Sequence, residues 1–372
     1  MRLVNIGTLF TGTQFLHNTQ LDIGGLDKSD FDCQAQVVLP GFIDCHTHLV
    51  FAGSRGSEFE LHSQGASYAQ IMQAGGGIRN TMLATRQASK QQLIDLALPR
   101  LKRMLSRGVT TIEIKTGYGL SLDSELKMLE VIGELSKLQP VEISATFLGA
   151  HAFPPEFDSN REAYVEHIIQ DMLPAVKQQN IAEACDVFIE NGAFSVEQAR
   201  RILVKAQELG LRTRVHAEQL SHFGGTLLGA ELGVLSASHL EYATQKDAKA
   251  LAQAGVIAEL LPVAQEFLGM QQLASGRMLT DAGVKVAIAT DFNPGSAMCD
   301  DLLLAARLAI TRGGLSCFEA LLGITQYAAL ALGRTELAKD DFCVLSTQNW
   351  VDLFYDWSIN PVQSVFKKGR QI

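Results

Sequence analysis

The stretch that decides the fold is GFIDCHTHLVFAGSR, residues 41–55, in which an apolar run leads into two histidines. His46 and His48 are two residues apart, and side chains on one face of a β-strand repeat every two residues. We therefore expect both imidazoles to point to the same face at the end of a buried strand, with Cys45, the residue before His46, pointing the other way into the core. Two imidazoles placed side by side can share a metal cation.

The middle of the chain alternates between short apolar runs and longer helical patterns. The runs that predict strands cover residues 39–49, 110–119, 142–151, 184–193, 211–219, 235–242, 255–264 and 285–293. Among the helical stretches, residues 195–210 have Ser195 as a predicted N-cap and Gly210 as a predicted C-cap. Eight strand–helix units predict an α/β protein with a (β/α)8 TIM-like barrel. A doubly wound sheet is the competing fold, but polar residues at nearly every strand end favour the barrel.

The two ends of the chain depart from this alternation. Residues 1–38 and 336–372 consist of short β-like runs. We expect these two segments to meet as one small β-sandwich domain, and we expect residues 39–335 to form the barrel. No proline- or serine-rich linker and no low-complexity segment interrupts the sequence.

Composition restricts the classes of partner. The chain has 372 residues, of which 47% are hydrophobic and 19% charged, so it can bury a sizeable core. A net charge of -9 argues against a nucleic-acid or anionic-membrane surface. No apolar run reaches the ~18 residues of a membrane span, and the first ten residues lack a signal-peptide pattern. Six cysteines without a CxxC pair predict reduced thiols, so we expect a cytoplasmic protein.

Polar side chains collect at the predicted carboxyl ends of the strands, where barrel enzymes keep their active sites. In strand order they are His46 and His48, Tyr118, His151, Glu190, His216 with Glu218 and Gln219, His239, and Asp291. The chain has nine histidines, and five of them fall at these positions. A lone buried histidine is usually a hydrogen-bonded core residue, but five at converging strand ends predict a shared site.

A metal site is the simplest use of these residues. His216 and Asp291 can join His46 and His48 around one cation. Histidine and carboxylate ligands suit zinc or iron, as a divalent or trivalent ion. Three histidines and one aspartate leave room for a water molecule, whose pKa a bound cation lowers to about 7. Hydrolysis of an unreactive C–N bond is the natural use of such a site.

The pattern resembles the amidohydrolase superfamily, with HxH after the first strand, histidines after strands five and six, and aspartate after strand eight. More specifically, the chain resembles the imidazolonepropionase family, which opens 4-imidazolone-5-propanoate to N-formimidoyl-L-glutamate in histidine degradation. The matching segments are PGFIDCHTHLVFAGSR, GGGIRNT, EIKTGYGL, FLGAHAFPPE, VHAEQL, SHLEY and ATDFNPGS.

The resemblance implies roles for individual residues. The implied metal ligands are His46, His48, His216 and Asp291. The implied substrate contacts are Arg55, Tyr118, His151, Gln219 and Ser296, and the implied product contacts are Tyr118, Asn293 and Gly295. Glu190 stands at the end of strand four, where two-metal relatives carry a carboxylated lysine, which favours a single metal. The resemblance also implies a homodimer.

The chemistry of several side chains suits these roles. Arg55 can pair with a carboxylate or hold a ring carbonyl. Asp291 can bind a metal through one oxygen and accept a proton from water through the other. His239 is not needed as a further metal ligand and can stabilise an oxyanion or relay a proton. Gln219 stands where some relatives have glutamate. It cannot act as a base, but its amide can orient the substrate.

Two other function classes remain open. The first is a different amidohydrolase, such as a nucleobase deaminase or a cyclic amidase. Deaminases of this superfamily place glutamate three residues after the strand-five histidine, where this chain has Gln219, with Glu218 at the neighbouring position. The second is a non-enzymatic assembly module on the same barrel. Such modules usually lose their metal ligands, whereas this chain keeps all four.

Overall fold

A computed structural model describes residues 1–24, 29–65 and 76–372. Gly75, the first residue of the GGGIRNT segment, lies outside the described residues. The described strands form two sheets. One sheet contains strands from both ends of the chain, namely β1 (Arg2–Phe10), β2 (Phe15–Asp22), β3 (Asp30–Asp32), β4 (Val37–Pro40), β13 (Phe342–Leu345), β14 (Val362–Lys367) and β15 (Arg370–Gln371).

The other sheet has eight parallel strands, each paired with the next along the chain. They are β5 (Phe42–Asp44), β6 (Val109–Lys115), β7 (Glu142–Ala150), β8 (Ala184–Ile189), β9 (Arg212–Ala217), β10 (Ser236–His239), β11 (Ile257–Leu260) and β12 (Val286–Ile288). Each strand lies inside a predicted segment, except that β6 begins one residue before its segment, and most strands are shorter than predicted. The predicted barrel is confirmed, because a doubly wound sheet would not keep the strands in chain order.

Hydrogen bonds between the segments around β5 and β12 close the ring. The carboxylate of Asp44 accepts bonds from the amide and the hydroxyl of Thr290, at 3.2 and 2.7 Å. The amide of Asp291 donates to the carbonyl of His46 at 3.1 Å. Closure therefore places the segment with His46 and His48 directly beside Asp291.

Helices follow the strands around the barrel. Their bounds are Gly56–Ser63, Ile78–Gln87, Lys90–Ser106, Leu122–Leu138, Arg161–His167, Leu173–Gln179, Val196–Glu208, Gly225–Leu232, Gln245–Ala254, Pro262–Phe267, Gly276–Asp281, Leu302–Thr311, Cys317–Gly323, Gln326–Ala331 and Asp352–Tyr355. There is also a 3-10 turn at Pro155–Phe157 and a π-helical turn at Ile168–Met172. In the parts of the chain that the structure describes, no helix is both long enough and apolar enough to cross a membrane.

The helix after β8 begins and ends as its sequence predicts. Ser195 Oγ accepts a hydrogen bond from the amide of Gln198 at 3.2 Å, and the side chain of Gln198 accepts one from the amide of Ser195 at 3.1 Å. This reciprocal pair is a capping box. The helix ends at Glu208, and Gly210 follows with φ 74°, a left-handed conformation that favours glycine.

The sheet built from both termini agrees with the predicted small β-domain. Strand β4 lies between β1 and β13, and its residues Leu39 and Pro40 pair with Cys343 and Phe342. Strand β4 thus continues to Pro40, two residues past the predicted domain limit at residue 38, and completes its ladder with β13 before the chain enters β5. Gly41 makes that transition, and a Cβ atom there would lie 2.2 Å from Thr110 Oγ1.

The segment that follows the two histidines is held from outside the barrel by Arg100. Its Nη1 donates to the carbonyls of Leu49 and Phe51, at 2.7 and 3.1 Å. The guanidinium carbon also lies 3.7 Å from the centroid of the Phe51 ring, within range of a cation–π contact. Arg100 thus fixes the path of the chain directly after His48 and on toward the predicted substrate residue Arg55.

Candidate metal centre

The histidines of β5 and β9 meet at the carboxyl end of the barrel. His46, His48 and His216 are buried, and each offers a nitrogen that lies within 4.8 Å of the other two. The ring centroids of His46 and His216 are 4.5 Å apart, and His48 lies 5.5 and 5.6 Å from them. The two-residue spacing places His46 and His48 on the same side of the chain, and the barrel brings His216 to them.

Asp291 faces this group from the end of β12. Its Oδ1 lies 3.4 Å from His48 Nε2 and 3.6 Å from His46 Nε2. Burial acts to raise the pKa of Asp291, but the neighbouring histidines, His48 first, hold that pKa below its usual value. The ionised carboxylate therefore lies beside the three imidazoles.

The nitrogens at the centre of the group fit a metal ion. His46 Nε2 and His216 Nε2 are buried, and neither has a hydrogen-bond partner among the described residues. Burial, as the largest cause, lowers the pKa of His216 to about 4 and that of His46 well below its usual value, so both rings are neutral. Imidazoles with a free nitrogen are metal ligands, and three histidines with one carboxylate suit a transition metal.

Two of the predicted substrate residues lie against His48. The ring of His151 stacks on His48, with centroids 5.0 Å apart and planes 24° apart. His151 Nδ1 donates to the carbonyl of Gly117 at 3.0 Å, which fixes the ring. Tyr118 is buried 5.9 Å from His48 and 5.5 Å from His151, between ring centroids. These side chains border one side of the histidine group.

Arg55 crosses to the turn that follows β12. Its Nε donates to Glu58 Oε2 at 2.7 Å. A Cβ atom at Gly295 would lie 2.0 Å from Arg55 Nη1, so the guanidinium occupies space that any other residue at 295 would fill. The turn itself is held by Asn293, whose Oδ1 accepts the amides of Gly295 and Ser296, both at 2.8 Å. The DFNPGS segment therefore forms a turn that the Arg55 guanidinium contacts.

His239 lies beside the histidine group. Its ring is 5.4 Å from His216 and 6.1 Å from His46, between centroids, and its Nδ1 is 3.5 Å from Glu241 Oε1. Gln219 follows β9 and is 9% exposed, and its side chain forms no hydrogen bond within the described ranges.

Two glutamates near the site accept hydrogen bonds from backbone amides. Glu218 accepts the amides of residues 224–226 at 2.7 to 2.9 Å and so caps the helix Gly225–Leu232. Glu190 accepts the amides of Leu220 and Ser221 at 2.9 and 3.2 Å and holds the loop after β9. Neither carboxylate belongs to the group that could hold an ion in the described residues.

A set of buried charged residues was missed by the sequence analysis. They lie inside the barrel beneath the histidines, and they are Glu113, Lys115, Asp186, Arg214 and Glu259. The signal that could have revealed them is a charged residue in the middle of an apolar strand, as in VTTIEIK, ACDVFI and IAEL. Such residues are rarely buried unless they are paired.

Comparisons with known proteins agree with this architecture. The sequence model of the amidohydrolase family matches residues 37–372. An imidazolonepropionase from Myxococcus xanthus is 47% identical over 345 residues, which are 91% of this chain and 82% of that protein. An imidazolonepropionase from Shewanella amazonensis is 47% identical over 344 residues, which are 90% of this chain and 84% of that protein.

Solved structures share the fold at low identity. A 5-methylcytosine deaminase from Klebsiella pneumoniae has a TM-score of 0.75 at 14% identity, covering 100% of this chain and 97% of that one. An atrazine chlorohydrolase from Arthrobacter aurescens, complexed with zinc, has a TM-score of 0.66 at 16% identity, covering 100% and 94%. These two likenesses concern the fold alone. On the family match and the 47% identities, the chain belongs to the amidohydrolase family and, within it, to the imidazolonepropionases.

Proposed function

We propose that this protein hydrolyses 4-imidazolone-5-propanoate to N-formimidoyl-L-glutamate, a step of histidine degradation. The observation that carries the proposal is the 47% identity with imidazolonepropionases over about nine tenths of the chain. The geometry supports it, since a group of buried histidines, a carboxylate and an arginine converge at one end of a barrel. The reaction breaks the C–N bond of a cyclic amide whose side arm is a carboxylate.

The ligands that we assign to the metal are His46, His48, His216 and Asp291, around one divalent zinc or iron ion. The unpartnered, buried Nε2 atoms of His46 and His216 support this assignment. When bound, such an ion lowers the pKa of a water molecule to about 7 and so makes hydroxide available at neutral pH.

Substrate binding falls to the side chains around the histidine group. Arg55 would hold the anionic arm or the ring carbonyl, because its guanidinium offers paired donors. Tyr118 and His151 would border the ring, and the Gln219 amide would orient it. The turn of Asn293, Gly295 and Ser296 completes the contacts.

Proton transfer is assigned to Asp291 and His239. Asp291 would take the proton of the attacking water, whose oxygen adds to the ring carbonyl carbon. The ring C–N bond then breaks, and the departing nitrogen takes a proton through His239. Burial acts to lower the pKa of His239, but the adjacent carboxylate of Glu241 outweighs burial and raises it. His239 is thereby suited to hold the proton that it delivers.

The alternative functions lack such support. A deaminase acid or base at Glu218 is disfavoured, because that carboxylate caps a helix. A non-enzymatic module would have no use for a complete ligand set. Two further assignments, a homodimer and a cytoplasmic location, stay predictions, and for the location we note that all six cysteines are free thiols.

The test is to incubate purified protein with 4-imidazolone-5-propanoate and to follow the loss of its ultraviolet absorbance. Cytosine and dihydrouracil serve as substrates for the deaminase and cyclic-amidase alternatives. We expect turnover of the imidazolone compound alone. Turnover of cytosine or dihydrouracil with no loss of the imidazolone compound would overturn the proposal.

The metal assignment predicts about one transition metal ion per chain. His46→Ala and His216→Ala should each lose most of this metal and abolish turnover, because each removes one of the nitrogens around the ion. His17→Ala is a matched control, since His17 lies on β2 of the terminal sheet, outside the barrel. Elemental analysis measures the metal, and full occupancy in both barrel variants would rule the assignment out.

The contact of Arg55 with Gly295 predicts that substitutions at these two positions have non-additive effects on KM. Arg55→Ala should raise KM about tenfold or more, because a charge-assisted hydrogen bond is lost. Gly295→Ala should raise KM similarly, since its methyl group would displace the guanidinium, and the double variant should be no worse than either single one. Gly56→Ala is the control, because a Cβ atom there meets only an ordinary contact of 3.5 Å with Ser54 Oγ. Effects on KM that multiply in the double variant would contradict this placement.

The proton assignment predicts that Gln219→Ala is milder than Asp291→Asn. Losing an orienting hydrogen bond costs about 0.5–1.5 kcal/mol, or roughly one decade in rate at most. Losing a positioned base costs on the order of 10²–10⁴-fold in kcat. Rates are compared at equal metal occupancy, and Gln219→Glu should stay active. Equal inactivity of Gln219→Ala and Asp291→Asn with metal retained would refute the assignment.

A further inference from the structure

Two buried carboxylates lie beside the Nδ1 atoms of two of the proposed metal ligands, His46 and His216. Glu259 on β11 accepts a hydrogen bond from His46 Nδ1 at 2.9 Å. Asp186 on β8 places its Oδ1 3.1 Å from His216 Nδ1. Both carboxylate side chains are 0% exposed. In each histidine, the Nε2 opposite the carboxylate has no hydrogen-bond partner among the described residues. At His216 the approach of Asp186 to Nδ1 is a close ion-pair contact, whereas at His46 the contact with Glu259 is a hydrogen bond.

Asp186 is itself held by a buried cation. Lys115 Nζ donates to Asp186 Oδ2 and to Glu113 Oε1, both at 2.8 Å, and all three side chains are 0% exposed. A buried carboxylate without a partner would be costly, whereas a hydrogen-bonded ion pair is tolerated. Lys115 therefore fixes both the charge and the position of Asp186 beneath His216.

Glu259 is held by a hydroxyl and lies near a buried cation. Ser238 Oγ donates to Glu259 Oε2 at 2.7 Å and lies 3.0 Å from His46 Nδ1. Arg214 is buried, and its Nη1 is 3.6 Å from Glu259 Oε1, an ion-pair distance without a hydrogen bond. The Ser238 hydroxyl thus positions the Glu259 carboxylate beside His46, and Arg214 partly offsets its buried charge.

His48 differs from the other two histidines in its neighbours. Within the described ranges its Nδ1 is buried with no hydrogen-bond partner, and the one carboxylate paired with its ring is that of Asp291, on the Nε2 side. Its ring is held instead by the stack on His151. Among the described residues, a carboxylate therefore contacts Nδ1 of His46 and of His216 but not of His48. If these carboxylates served only to pair with buried cations, they would not need to contact the two rings.

We propose that Asp186 and Glu259 are positioning residues of the metal centre. Each holds the Nδ1 proton of its histidine, so that the Nε2 lone pair faces the ion. Lys115 secures Asp186, and Ser238 secures Glu259. A partner of this kind fixes the tautomer and ring orientation of a metal-binding histidine and makes it a better ligand. The inference rests on the metal ligands of the proposed function and is independent of the substrate.

The test measures metal affinity in Asp186→Asn and Glu259→Gln. The protein is stripped of metal, and zinc binding is followed by competition with a chelating indicator. We expect each variant to bind zinc about 10- to 100-fold more weakly than the unaltered protein. Because either change could impair folding, Ser238→Ala serves as a third variant. It removes one hydrogen bond to Glu259 and should weaken zinc binding about two- to tenfold.

The control is Asp247→Asn, which also changes a buried carboxylate that contacts a histidine, His222, at 2.9 Å. It should alter the thermal stability of the metal-free protein and leave zinc affinity unchanged. Unchanged zinc affinity in Asp186→Asn, Glu259→Gln and Ser238→Ala, or an equal loss in Asp247→Asn, would overturn the proposal.

Failure of this inference is distinguishable from failure of the proposed function, since one is judged by zinc affinity and the other by turnover of 4-imidazolone-5-propanoate. A protein that turns over a different substrate but loses zinc affinity in the three variants supports the positioning role while refuting the substrate.

Discussion

The hydrogen bonds that join the segments at β5 and β12 close the barrel, and the metal centre depends on this closure. Asp44 binds the amide and hydroxyl of Thr290, and Asp291 donates its amide to the carbonyl of His46. A parallel sheet in chain order places all its carboxyl ends on one rim. Closure therefore brings the first and last strands, which are about 245 residues apart in the sequence, to the same point in space.

Burial of charge is the second constraint. A barrel interior is usually filled by branched apolar side chains, whereas this one holds Lys115 and Arg214 with three carboxylates. Each charge out of water carries a desolvation penalty that a well-placed partner must offset. In this interior, two of the carboxylates face the outer nitrogens of histidines that we propose as metal ligands. The ion pairs that offset the desolvation penalty of these charges thus also orient the rings of His46 and His216.

The sequence predicted the elements with a local signal well. Alternating apolar runs located the eight barrel strands, because a strand buried on both faces must be apolar regardless of its neighbours. The end of β4 has no such local signal. Only pairing with β13 shows that Leu39 and Pro40 belong to the terminal sheet.

The amino-acid sequence by itself determined the barrel and the terminal sheet, because strand period and the alternation of apolar and helical runs are local properties. It also determined that His46 and His48 share a face. Only the tertiary structure decided which polar side chains at the strand ends are used elsewhere. Glu218 and Gln219 are adjacent and similar in size, yet the first caps a helix while the second forms no side-chain hydrogen bond with the described residues. That difference depends on amides brought close by the fold, and no local pattern encodes their position.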